Sequence, residues 1–110
     1  MIKSYTDLEQ SKKLAEFLPL ETADMFYDGF GRLPQGYAYT LISPNSFEYD
    51  KPCWSLAALL GVLPEPYQMT SNKEGKVQLM VIHHLEKDYY DNPVDACVAM
   101  IEKLHELKML

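Results

Sequence analysis

At 110 residues and 12.7 kDa the chain holds material for one domain, since single domains peak at roughly 100 to 150 residues. Its 47% hydrophobic and 24% charged residues exclude the disordered and fibrous classes. The formal charge of -6, from 16 acidic and 10 basic residues, divides evenly between Met1–Lys51 and Pro52–Leu110. With one arginine, Arg32, and Lys12–Lys13 as its sole adjacent basic pair, the chain offers no patch for neutralising phosphates, so no nucleic-acid partner is expected.

The apolar stretches Leu56–Leu63 and Leu79–Ile82 fall far short of the roughly 20 residues that span a bilayer. Met1–Lys13 mixes charges without the apolar core of a secretory signal. The expectation is a cytoplasmic protein with no membrane partner. Cys53 and Cys97 both lie among apolar neighbours and read as reduced core thiols.

In chain order, Thr6 with Glu9 three residues later fits a capping box, and Leu8, Leu14, Ala15, Phe17 and Leu18 recur at helical spacing until Pro19. This predicts a helix over Asp7–Phe17. From Glu21 to Phe30, Ala23, Met25 and Tyr27 alternate with polar neighbours and Phe26, which predicts a half-buried strand. A loop through Gly29, Gly31, Pro34 and Gly36 leads to a second strand, Tyr37–Ile42. Leu56, Leu59, Leu60 and Leu63 then mark a short apolar helix, with Pro52 in its first turn and Pro64 closing it. Tyr67–Ser71 and Lys76–His83, joined by Asn72–Gly75, read as a hairpin whose second strand, apolar in both alternating sets, is central and covered on both faces. Asn92, Pro93 and Asp95 open a last helix, with Val94, Cys97, Val98, Ile101 and Leu104 as its apolar stripe and Glu102, Lys103, Glu106 and Lys108 facing water. The order α-β-β-α-β-β-α predicts a single α+β domain over residues 1–110: a four-stranded, mostly antiparallel sheet with helices packed on it.

Candidate chemistry is sparse. His83, His84 and Asp88 are ligand-type side chains, but neighbours on a strand point to opposite faces, so at most one histidine could join Asp88. Cys53 lies before a helix N-terminus, where a thiolate is stabilised, with His84 or His105 as conceivable bases. Glu21, Asp24 and Asp28 read as solvent-facing acids on an edge strand. Gly29-Phe30-Gly31 lacks the third glycine of a dinucleotide loop. These residues assign no catalytic site, metal or cofactor. The eight tyrosines say more: Tyr37 and Tyr39 share a strand face and Tyr49, Tyr89 and Tyr90 lie in loops, a supply of interface-type surface.

Three segments, Tyr5-Thr6-Asp7-Leu8-Glu9-Gln10-Ser11-Lys12-Lys13-Leu14-Ala15, Pro52-Cys53-Trp54-Ser55-Leu56-Ala57-Ala58-Leu59-Leu60 and Asn92-Pro93-Val94-Asp95-Ala96-Cys97, carry a resemblance. The chain resembles a group of short uncharacterised proteins of gut Bacteroidales genomes, their phages and mobile elements. That resemblance implies a bacterial or phage cytoplasmic setting and no catalytic residue. The expected function is a non-enzymatic protein–protein interaction domain of phage or mobile-element origin, binding a protein partner or forming a homo-oligomer. The alternatives are an acidic DNA-mimic inhibitor of a host nuclease or regulator, and a small enzyme using Cys53 or the His83/His84 region.

Overall fold

Asp7, not Thr6, opens the first helix, α1 (Leu8–Ala15), in a computed structural model that describes residues 3–27, 35–36, 51–81, 84–85 and 88–110. The Asp7 carboxylate accepts the Gln10 N–H at 2.8 Å and the Gln10 side-chain oxygen accepts the Asp7 N–H at 3.1 Å. The capping box is therefore one residue later than Thr6–Glu9 suggested. Both pairs satisfy the same spacing rule, and the choice falls on Asp7 because Thr6 is drawn wholly into the interior.

The expected strand from Glu21 starts later. Leu20–Thr22 form a 3-10 turn, with the Thr22 hydroxyl donating to the Pro19 carbonyl at 2.6 Å, and among the described residues of that span β1 (Met25–Tyr27) is the part that enters a sheet. Strict alternation fails there, because Phe26 and Tyr27 are both buried. Antiparallel β2 (Gln35–Gly36) and β3 (Lys51–Cys53) flank β1, so β1 is the middle strand, not an edge. The expected strand Tyr37–Ile42 lies outside the described residues. Pro52 belongs to β3, opposite Phe26, and not to a helical first turn. As an edge strand, β3 tolerates a residue that cannot donate to a ladder.

Helix α2 (Leu56–Val62) begins after Ser55, whose hydroxyl accepts the Ala58 N–H at 3.2 Å. It packs chiefly on the last helix and the 3-10 turn. The second hairpin forms as the pattern predicts: β4 (Tyr67–Ser71) pairs with β5 (Val77–Val81), and Gly75 takes φ +81° in the turn, a conformation that excludes most side chains. Strand β6 (His84–Leu85) completes the order β4-β5-β6. Although β5 is central, it is covered on one face only: Val77, Leu79 and Val81 are buried while Met80 is 39% exposed.

The expected single four-stranded sheet is thus replaced, among the described residues, by two three-stranded antiparallel sheets in an α+β fold. Past β3, the N-terminal segment pairs with the chain that leads into the next helix: the Thr6 N–H donates to the Trp54 carbonyl at 2.9 Å and the Leu56 N–H to the Ser4 carbonyl at 3.0 Å, with Tyr5 bridging Ser55.

Helix α3 (Pro93–Glu106) closes the fold. Asn92 accepts the Asp95 N–H at 2.9 Å, Pro93 stands in the first turn, and the expected stripe is buried together with Ala96 and Met100. These side chains meet Leu14, Trp54, Leu59, Leu79 and Val81 in one core. No helix among the described residues is long and apolar enough to cross a membrane.

Candidate functional site

Two polar assemblies hold α1 in place and thereby shape a groove between α1 and the last helix. The first surrounds Thr6, which is fully buried beside the equally buried Cys53, Trp54 and Ser11. One proton assignment uses every donor once. The Trp54 N–H (3.1 Å) and the Ser11 hydroxyl (2.7 Å) donate to Thr6 Oγ1, whose own proton goes to Cys53 Sγ (3.5 Å). The Cys53 thiol (3.4 Å) and the Tyr27 hydroxyl (2.7 Å) then donate to the Thr6 carbonyl. Burial pushes up the pKa of both Cys53 and Tyr27. A satisfied buried network of this kind fixes geometry and leaves no group free to react.

Beside it, the Trp54 indole N–H donates to Thr22 Oγ1 at 2.9 Å. Asp24 accepts the Ser55 N–H at 2.9 Å and also takes the Ser55 hydroxyl. Asp24 is exposed to solvent, as expected, and at the same time supports the N-cap of α2.

The second assembly ties α1 to α3. The Lys3 ammonium donates to Asp7 (3.0 Å), Gln10 (2.8 Å) and Asp95 (2.9 Å), while Gln10 Nε2 and Asn92 Nδ2 each donate to Asp95 at 2.9 Å. Partial burial opposes the charge on all three ionised groups. The hydrogen bonds and opposite charges outweigh it, holding Lys3 above its ordinary pKa and Asp7 and Asp95 below theirs.

At the other end of the same helix pair, the Phe17 and His105 rings stack with centroids 3.9 Å apart and planes within 9°. Gln10 meets Asp95 early in both helices and Phe17 meets His105 after α1 and late in α3, so α1 and α3 run parallel. Two adjoining clefts of about 420 and 410 Å³ lie along their seam, both lined by Lys13 and Glu102. Glu9 and Glu16 contribute from the α1 side and Glu106 from α3, over a floor that includes Val98, Ala99, Phe17 and His105. The glutamates outnumber the single lysine. The carbonyl ends of both helices converge at the Phe17–His105 end and add partial negative charge there.

Of the residues singled out from sequence, Tyr90 lines the groove near Asp95 and pairs its backbone with Val77. Tyr89 is 45% exposed and Asp88 is exposed. Tyr37, Tyr39, Tyr49, His83 and Asp28 lie outside the described residues, and His84 is described only as backbone in β6. Cys53 and His105 are not brought together: the first is wholly enclosed around Thr6, the second stacks on Phe17 at an exposed helix end. Glu21 is exposed in the 3-10 turn. Both cysteines are free thiols. Among the described residues no group of three or more His, Cys, Asp or Glu is arranged to hold a metal ion.

Pattern reading missed the groove acids. Their signal was present as charge spacing, Glu9 with Glu16 at i, i+7 and Glu102 with Glu106 at i, i+4; nothing local indicated that the two rows share one seam. Comparisons with protein-family models, with curated proteins and with solved structures found no match to this chain.

Proposed function

We propose that this chain is a non-enzymatic interaction domain whose α1–α3 groove receives a basic segment of a partner protein. The observation that supports this is the placement of Glu9 and Glu16 on one wall and Glu102 and Glu106 on the other, over an apolar and aromatic floor. Lysine or arginine side chains would find carboxylates on both sides, and their methylene stems would cover Val98, Ala99 and the Phe17 ring. Convergence of the acids into one groove favours a basic protein segment over DNA mimicry, which needs a phosphate-like row across the surface. The enclosed state of Cys53 speaks against thiol chemistry.

The test is a titration of a lysine-rich amphipathic peptide by calorimetry at low and high salt. Binding is expected to weaken as salt rises. Glu16→Lys with Glu102→Lys should lower affinity at least tenfold, whereas the charge-matched surface pair Glu21→Lys with Glu74→Lys should leave it nearly unchanged. Equal losses in the two double variants, or no binding at low salt, would overturn the reading.

A further inference from the structure

The outer edge of β4 is unlike the other sheet edges. In an antiparallel ladder, residues alternate between those that bond the neighbour and those whose N–H and C=O point away. The Asn72 N–H donates to the Lys76 carbonyl at 2.9 Å, and Val77 exchanges two 2.7 Å bonds with Tyr90 on the far side of β5. With the register Thr70↔Gln78 and Gln68↔Met80, this parity makes Gln68 and Thr70 the residues bonded to β5. The N–H and C=O of Tyr67, Met69 and Ser71 therefore point outward, and among the described residues no strand pairs with that edge.

Sheet edges are ordinarily guarded by lysine, proline or brevity. Edge strand β3 contains Lys51 and Pro52, and β2 and β6 are two residues long. Strand β4, Tyr-Gln-Met-Thr-Ser, is five residues long with no charge and no proline, and all but Met69 are exposed.

We propose that β4 pairs antiparallel with β4 of a second copy of this chain, about a two-fold axis at Met69, joining two three-stranded sheets into one of six strands. Self-pairing in this register exchanges the outward groups of Met69 with those of its symmetry mate and sets Tyr67 opposite Ser71. Tyr67, 38% exposed in the single chain, gains the neighbouring copy's Met69 as its diagonal contact. On the other face, Gln68 meets Thr70, two side chains able to hydrogen-bond. The flanks fit as well: the same register brings Glu65 of each copy towards Lys73 of the other, and both residues are exposed with no ion pair among the described residues. That charge match, present at both ends of one two-fold contact, is why a second copy is chosen over an unrelated strand. This contact is separate from the α1–α3 groove.

The experiment combines sedimentation equilibrium with hydrogen exchange on the full chain. The wild type should approach twice the 12.7 kDa chain mass as concentration rises towards about 1 mM. In the dimer the amides of Tyr67, Met69 and Ser71 should become protected along with those of Gln68 and Thr70. Gln68→Lys with Thr70→Lys, both on an exposed face, should leave the fold intact by circular dichroism but give a monomer in which only residues 68 and 70 stay protected. Glu65→Lys should weaken the dimer about tenfold, and adding Lys73→Glu should restore it. A monomer throughout the concentration range overturns the proposal, as does a dimer whose residue 67, 69 and 71 amides exchange freely or whose mass ignores the double-lysine variant.

Discussion

Replacing Thr6 by valine removes one hydroxyl and keeps the side-chain shape, which makes it the sharpest perturbation of the buried network. The Trp54 N–H, in a residue with no exposed surface, loses its 3.1 Å acceptor, and an unsatisfied buried donor costs about 1–3 kcal/mol. Ser11 loses its 2.7 Å partner but can turn its proton to the Asp7 carbonyl one turn back, so its share is small. Cys53 keeps its own bond to the Thr6 carbonyl. With a methyl group pressed into hydrogen-bonding distance of three polar atoms, the total comes to about 2–4 kcal/mol. In a chain of this length that corresponds to roughly 10–20 °C in Tm. Calorimetric melts and urea unfolding should agree on the loss, with an unchanged m-value. Thr6→Ser, which keeps the hydroxyl, should cost only about 1 kcal/mol for the lost methyl. Adding Ser11→Ala to Thr6→Val should cost less than Ser11→Ala alone, because the two hydroxyls are partners. If Thr6→Val is no worse than Thr6→Ser, the hydroxyl contributes nothing and the network account is wrong.

The Lys3 tether predicts a pH window. Asp7 and Asp95 are held below their ordinary 3.8, so their stabilisation is present above that value and is lost as pH falls through the lower folded values. Lys3 is held above 10.5, so its stabilisation is present below that and is lost as pH rises through the folded value. Lys3→Met should lower stability by about 1 kcal/mol at neutral pH, the tether being partly in water, and should flatten the Tm profile at both ends; an unchanged profile would refute the coupling. The thiols give a separate check. Burial raises the pKa of Cys53 and takes that of Cys97 to about 12, so both should react with a thiol reagent at neutral pH only as fast as the chain unfolds. Rapid labelling of either in the folded protein would contradict its enclosure.

Local pattern was sufficient for several elements, and the reason is the same in each. The start and inward face of α3 follow from Asn92-Pro93 and an apolar row one turn apart, and the β4–β5 hairpin from two strands around a turn that needs a positive φ at Gly75. The hydrogen bonds and side-chain spacings concerned span a few residues. Where a pattern matched twice, as for Thr6–Glu9 and Asp7–Gln10, neighbours could not decide between the matches.

The sequence by itself determined an α+β chain, the three helices found among the described residues, and a dispersed negative charge. Only the tertiary structure decided that Thr6 is a core residue, that Pro52 lies in a strand, and that the described strands fall into two sheets instead of one. It also decided that Glu9, Glu16, Glu102 and Glu106 line one groove. Each of these depends on contacts such as Thr6 with Trp54, 48 residues on, or Lys3 with Asp95, 92 residues on. Periodicity describes which face of an element is apolar. It carries no information about which distant element that face, or the charged face beside it, will meet.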